Sequence, residues 1–98
     1  MTRNDSLVGP DGWTYAIHLT RKEMEGLARY LHWIPASRGF GPQYVAEKYP
    51  GWGFGELVGV LQNLKLLVRS PHGGPPSIRK GVTGIWISSG LHAHVERD

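Results

Sequence analysis

The chain has 98 residues, of which 40% are hydrophobic and 19% are charged, a balance that fits one folded domain and excludes an intrinsically disordered chain. It contains no cysteine, which excludes a disulfide framework and a thiolate metal site, and no apolar run long enough to span a membrane, so we expect a cytoplasmic protein. The net charge of +3 mildly favours a polyanionic partner over an acidic one.

The first elements expected along the chain are an arm and a strand. Residues 1–12 are polar and close with the turn-forming sequence Gly-Pro-Asp-Gly, which predicts a flexible N-terminal arm. Over residues 13–18, larger apolar side chains alternate with smaller or polar ones, and this pattern predicts a short strand. The folded domain is therefore expected to cover residues 13–98.

Two helices are expected next. A capping box formed by Thr20 and Glu23, followed by apolar residues at helical spacing, predicts the first helix over residues 21–33. Pro42 fits the first position of a short second helix over residues 42–49, since its fixed φ suits the start of a helix. Both helices would turn one apolar face towards a core.

The last part of the chain is expected to hold a third helix and a β-hairpin. The third helix covers residues 54–66, with an apolar stripe at helical spacing and Gly53 as a weak cap. Residues 67–69 are β-prone, and the Gly- and Pro-rich residues 71–76 predict a mobile loop before a strand over residues 82–88. Alternating side chains after a Ser-Gly turn predict one more edge strand at the C-terminus.

This order of elements matches a known architecture. The segment LVGVLQNLKLLVRS resembles the run in winged helix-turn-helix domains where the recognition helix passes into the first wing strand, TRKEMEGLARYLHWI resembles the first helix, and GPQYVAEKYPG the second. The resemblance covers residues 20–88. It implies an α+β winged-helix domain with three helices and an antiparallel β-hairpin wing, here with an extra N-terminal strand. It also implies a transcriptional regulator that binds double-stranded DNA with its third helix in the major groove, and it leaves a homodimer open.

The candidates for nucleic-acid contacts lie on the third helix, the wing and a connector. The side-chain amides of Gln62 and Asn63 suit adenine edges, and the third helix would use them together with Lys65 in the major groove, whereas Glu56 on the same face would repel phosphate. The remaining candidates are cations of the wing and of the connector between the first two helices: Arg69, Arg79, Lys80 and Arg38.

The alternative is a protein-interaction module on the same scaffold, such as a replication, transcription or host-inhibitory accessory protein of a mobile element. The third helix is nearly uncharged, and Trp52, Phe40 and Trp33 are candidates for exposed aromatic anchors. Gly55 and Gly59 each cost about 1 kcal/mol inside a helix. Either close approach of a partner or crowding against an aromatic such as Trp52 would explain them.

Enzymatic activity, metals and cofactors are not expected, because the sequence lacks the motifs of hydrolases, nucleotide-binding loops and metalloproteases. His92 and His94 share one face of the last predicted strand, but two imidazoles do not complete a zinc site. Arg21 and Lys22 are expected to serve solubility. Lys48 is expected to complement the C-terminal end of its helix.

Overall fold

The fold is described from a computed structural model, which defines residues 7–32, 41–90 and 92–98. These residues form, in chain order, β1 (Leu7–Val8), β2 (Thr14–Tyr15), β3 (Ile17–Thr20), α1 (Arg21–His32), α2 (Pro42–Lys48), α3 (Phe54–Asn63), β4 (Leu67–Val68), β5 (Ser77–Ile78), β6 (Val82–Ile87) and β7 (Ala93–Arg97). Together they make an α+β domain of helices and antiparallel sheets, which confirms the expected fold class.

The main sheet has three antiparallel strands in the order β3-β6-β7. Buried aliphatic side chains line its inner face: Ile17, Leu19, Ile85 and Ile87. Because side chains alternate along a strand, the residues between them lie on the opposite face, where the Trp86 ring stacks on the His18 ring with centroids 4.0 Å apart. The sheet therefore covers the core with one face and presents aromatic and polar groups on the other.

The core lies between this sheet and the helices. Helix α1 contributes Met24 and Leu27, and α3 contributes Leu57 and Leu61, all at helical spacing and all buried. Val45 of α2 is buried with them. The apolar stripes that the sequence predicts for the helices thus form the packed core.

The N-terminal segment is partly tied to the domain. Residues 7–12, which the sequence assigns to a loose arm, include strand β1, and β1 pairs with β2 in antiparallel orientation. The Asp11 carboxylate accepts hydrogen bonds from the Tyr15 hydroxyl at 2.6 Å and from the Trp13 amide at 3.1 Å. Residues 1–6 lie outside the described part of the chain.

The hairpin after α3 differs from the prediction. Strand β4 pairs with β5, with Leu67 opposite Ile78, whereas the sequence predicts residues 82–88 as the next strand after the loop. That stretch is β6, which pairs with β3 on one side and β7 on the other. Strand β5 has only 2 residues and no alternating pattern, so periodicity does not reveal it.

Candidate nucleic-acid interface

Helix α3 ends in a left-handed turn at Lys65. The sequence predicts a helix that continues to Leu66, but the helix stops at Asn63. The Lys65 amide donates to the Gln62 carbonyl at 3.0 Å, and the Leu66 amide donates to the Leu61 carbonyl at 3.0 Å. These two bonds make a Schellman motif, which satisfies carbonyls that the helix end would otherwise leave unpaired. Lys65 therefore belongs to the turn and not to the helix.

The backbone of Lys65 adopts a conformation that favours glycine. Its φ of 60° is the only positive φ of a non-glycine residue within the described ranges. A side chain at such a position costs about 1 kcal/mol relative to glycine, because the Cβ crowds the backbone. The chain thus carries an exposed charged side chain where glycine would be more stable.

Arg79 connects the end of β5 to the end of α3. Its Nε donates to the Lys65 carbonyl at 2.9 Å, and its backbone amide donates to the Leu66 carbonyl at 2.8 Å. The bond from Nε fixes the guanidinium plane. The N–H donors of the two Nη atoms remain for other acceptors.

An open groove of about 450 Å³ lies between the end of α3 and the β4–β5 hairpin. Four of the predicted nucleic-acid contacts line it together: Gln62, Lys65, Arg69 and Arg79. The rest of its described wall is apolar or small: Leu31, Leu67, Ser70, Gly74 and Pro76. Three cations therefore meet in one groove, and no described carboxylate lines it.

The other predicted contacts lie elsewhere. Asn63 and Lys80 are exposed but do not line this groove, and Arg38 lies outside the described residues. Glu56 is in the first turn of α3, where its carboxylate accepts from the Gly53 amide at 3.4 Å. The acid of α3 is therefore at the opposite end of the helix from the groove.

The glycines of α3 leave part of its surface bare. Apart from its chain neighbours and the backbone of the helix itself, a Cβ placed on Gly55 or Gly59 would meet no described atom within 4 Å. Crowding against Trp52 does not explain these glycines, because no Trp52 atom lies within 4 Å of a Cβ placed on either of them. Close approach of a binding partner stays a prediction.

The aromatic residues of the protein-binding alternative are distributed differently from the expectation. Trp52 is half-buried, packs against the core and lines a second open groove of about 770 Å³. Phe40 and Trp33 lie outside the described residues. Trp13 is 70% exposed, although the alternation of residues 13–18 alone does not mark it as a binding residue.

The Glu23 carboxylate carries a network of contacts that the sequence reveals only in part. The residue is 4% exposed. Its Oε1 accepts from the Thr20 amide at 3.0 Å, which confirms the predicted capping box. Its Oε2 lies 2.6 Å from Lys48 Nζ, 2.6 Å from the Tyr44 hydroxyl and 2.9 Å from the Tyr49 hydroxyl. Lys48 therefore pairs with a buried acid of α1, in addition to its place near the end of α2.

These contacts keep the buried carboxylate ionised. Burial alone would raise the pKa of Glu23, but the hydrogen bonds, led by that of Lys48, outweigh it and lower the pKa from 4.5 to about 2. The same contact raises the pKa of the Lys48 ammonium. The ion pair thus persists at neutral pH and fastens α1 to α2.

Arg21 has a structural role that the sequence analysis did not assign to it. Its guanidinium donates to the carbonyls of Ile78 at 3.0 Å, Arg79 at 3.0 Å and Val82 at 2.6 Å, and its Nε binds the Glu25 carboxylate at 3.0 Å. The expectation that Arg21 serves only solubility is wrong, because these bonds join α1 to the segment between β5 and β6. A long-range bond to backbone carbonyls leaves no local signal in a sequence.

His92 and His94 have other contacts on the outer face of the main sheet. The His94 Nδ1 atom lies 3.5 Å from the Asp11 carboxylate, and the His92 ring stacks on the Tyr15 ring with centroids 6.4 Å apart. The described residues contain no group of three or more histidine or acidic side chains placed to hold a metal ion.

Comparison with known proteins adds no family to this picture. No protein-family model, curated protein or solved structure matches the chain. No helix within the described ranges has the length and apolar character needed to cross a membrane.

Proposed function

We propose that this protein is a small winged-helix DNA-binding protein that acts as a transcriptional regulator in the cytoplasm. The observation that carries the proposal is the groove between α3 and the β4–β5 hairpin, where Lys65, Arg69 and Arg79 meet without a described carboxylate. Phosphate suits such a cluster, because lysine and arginine give it charge-assisted hydrogen bonds. Double-stranded DNA presents phosphates in a continuous row.

The exposed face of α3 supplies groups for reading bases. Gln62 and Asn63 are exposed in its last turn, and their amides both donate and accept, as the major-groove edge of adenine requires. Gln62 also lines the groove, so a base contact and a phosphate contact would be adjacent. Gly55 and Gly59 carry no side chain that would keep a nucleic-acid backbone away from this face, although the exposed Glu56 carboxylate between them would repel phosphate.

The conformation of Lys65 supports a functional interpretation of the groove. A non-glycine residue with a positive φ is held there at a cost in stability, and such positions are frequent at binding sites. Removing this side chain would relieve the backbone but take one cation from the groove. A role of its charge in binding would explain why lysine and not glycine occupies this position.

The salt dependence of DNA binding tests the proposal. If the three groove cations each neutralise one phosphate, affinity for a random-sequence duplex should fall about 40-fold between about 50 and about 200 mM salt. A fluorescence-anisotropy titration of a labelled duplex with the purified protein measures this. Absence of binding at low salt, or binding that salt does not weaken, contradicts the proposal.

Two matched substitutions distinguish the effect of the groove cations on DNA affinity from the effect of net charge. Arg69 lines the groove, whereas Lys22 is exposed on α1, and changing either to glutamine removes one positive charge. We expect Arg69→Gln to reduce the slope of log affinity against log salt by about 1, and Lys22→Gln to leave it nearly unchanged. Equal effects would mean that the groove has no special part in binding. Lys80→Gln tests the predicted contact outside the groove in the same titration.

Lys65→Gly should change DNA affinity and folding stability in opposite directions. Glycine relieves the left-handed backbone, so the variant should be more stable than the natural protein by up to about 1 kcal/mol. It should nevertheless bind DNA more weakly, because a groove cation is lost. A variant that is both more stable and equally tight in binding would remove Lys65 from the proposed site.

A protein-interaction module is the second candidate, because apolar side chains are exposed on the β1–β2 hairpin. Leu7 is 39% exposed, Val8 71% and Trp13 70%. Tryptophan is frequent among residues that dominate binding energy in protein interfaces. If the DNA titration shows no binding, Trp13→Ala is the first variant to compare in a search for a protein partner.

A further inference from the structure

Strand β7 is an open edge of the main sheet. It pairs with β6 on one side, and no other strand of the described chain pairs with its far side. An unpaired edge presents a row of backbone N–H and C=O groups that another strand can bind. The strand spans Ala93–Arg97, so it offers a short but regular template.

The backbone hydrogen bonds show which groups of β7 point outward. The His92 carbonyl accepts from the Ser88 amide at 2.8 Å, and the Asp98 amide donates to the Gly81 carbonyl at 2.7 Å, so the even-numbered positions bond towards β6. Hydrogen-bonding direction alternates along an antiparallel strand. The outward groups are therefore those of the odd-numbered positions: Ala93, Val95 and Arg97.

A second, antiparallel copy of β7 fits this edge in a register centred on Val95. With Val95 opposite Val95 of the second copy, Ala93 lies opposite Arg97, and the outward groups meet in about six hydrogen bonds. A two-fold axis then passes between the two valines, so both copies use the same surface. Ala93 and Val95 already pack partly on the core, and the second copy would cover them further.

The charges of β7 select this register. His94 lies opposite Glu96 of the second copy and His92 opposite Asp98, each twice by symmetry, and opposite charges across strands stabilise pairing. A shift by two residues keeps the hydrogen bonds but sets His94 against His94 in one direction and Glu96 against Glu96 in the other. Charges on an edge strand normally deter pairing. Here they deter the two shifted registers and favour the central one.

The contacts within one chain leave atoms for the new pairs. The His94 Nδ1 atom is near the Asp11 carboxylate, at 3.5 Å, which leaves Nε2 for Glu96 of the second copy. The Glu96 Oε1 atom lies 3.3 Å from His18 Nε2, which leaves Oε2 for His94 of the second copy. A row of alternating carboxylates and imidazoles therefore continues across the two-fold axis.

We propose that this chain forms a homodimer in which two β7 strands pair in antiparallel orientation about Val95, so that two main sheets become one continuous sheet. The pairing does not depend on DNA binding and is tested without DNA.

Sedimentation velocity of the full chain at about 1 to about 300 µM and about pH 6 tests the dimer. One pair of short strands is a small interface, so we expect a reversible dimer with a Kd of about 10–100 µM. An imidazole must be protonated to carry a charge, so the measurement is made on the acid side of neutrality. A monomer across the whole concentration range overturns the proposal.

A charge exchange tests the register. His94→Glu and Glu96→His each place like charges opposite one another, and each should raise the dimer Kd at least about tenfold. The double variant restores opposite charges across the two strands in reversed order but loses the contacts with Asp11 and His18 within each chain, so it should dimerise more tightly than either single variant and less tightly than the natural protein. His72→Glu, in the loop between β4 and β5, makes the same charge change away from β7 and should leave the Kd unchanged. A double variant as weak as the singles contradicts the register.

Val95→Pro tests the backbone pairing. Proline is tolerated on an edge strand where the missing N–H faces outward, so circular dichroism should show a folded monomer. The variant should not dimerise in the same concentration range. If it does not fold, the charge exchange decides the question alone. A dimer that survives both Val95→Pro and the single charge changes uses another surface, and the proposal is then wrong.

Discussion

The Glu23 carboxylate of α1 accepts hydrogen bonds from Thr20 at the end of β3, from Tyr44 and Lys48 of α2, and from Tyr49 directly after α2. The contact with Thr20 is predictable, because a capping box is local. The contacts with Tyr44, Lys48 and Tyr49 are 21 to 26 residues away along the chain, and sequence spacing alone does not bring them to one atom. The sequence therefore indicates where α1 begins. It does not indicate that Glu23 links α1 to α2.

The lowered pKa of Glu23 predicts how stability depends on pH. The pKa lies at about 2, below its ordinary value of 4.5, so this carboxylate contributes stability that is present above about pH 4.5 and lost as the pH falls towards 2. The shift corresponds to about 3 kcal/mol. Urea unfolding from about pH 7 to about pH 2 should show a loss of about this size, added to that of other carboxylates.

Glu23→Gln and Glu47→Gln form a matched pair for this measurement. Glu23→Gln should lower the free energy of unfolding at neutral pH by about 3 kcal/mol, because the buried donors lose their charged acceptor. The variant should also lose less stability than the natural protein as the pH falls. Glu47 is exposed on α2 and accepts only from Gln43 at 3.3 Å among the described groups, so its substitution should change little. Similar pH profiles for Glu23→Gln and the natural protein would refute the assignment.

At the scale of elements, periodicity locates helices better than it locates their ends. The apolar stripe of α3 is where the sequence predicts it, but Lys65 and Leu66 are ordinary helix formers, and nothing marks the turn that stops the helix at Asn63. The sequence predicts the cations of the groove individually, but it does not predict that they lie together. The contact of Arg79 with the Lys65 carbonyl, which brings them together, depends on the pairing of β4 with β5.

The open space around Gly55 and Gly59 on α3 predicts how alanine at these positions would change stability. Gly59→Ala should stabilise the protein by about 1 kcal/mol, because alanine favours the helix and no described atom is near its Cβ. Chemical denaturation measures this, with Gly55→Ala as a second position on the same face. If a DNA backbone approaches this face closely, both variants should bind DNA more weakly although they are more stable. Destabilisation by either alanine would show that the face is already covered.

At the scale of the whole molecule, Arg21 joins the helical part to the segment that leads into the main sheet. Arg21→Met keeps the aliphatic stem but loses the bonds to three backbone carbonyls, so the free energy of unfolding should fall by about 2–3 kcal/mol. Thermal and urea unfolding measure the loss, and hydrogen exchange should become faster at Arg79 and Val82. Lys22→Met, one residue along on the exposed side of α1, should be nearly neutral. Equal stability of the two variants would leave Arg21 without a structural role.

The bonds of Arg79 also bear on how the groove would meet a ligand. Arg21 binds the carbonyl of Arg79, and Arg79 in turn binds the carbonyl of Lys65, so α1, the β5–β6 segment and the end of α3 are held by successive hydrogen bonds. The backbone of a groove built in this way is preorganised, so little backbone entropy is lost when a ligand enters it. The spacing between the backbone positions that carry its cations is then fixed. A duplex whose phosphates do not match that spacing would have to bend or twist, so the protein would discriminate among DNA sequences partly by how easily each one deforms.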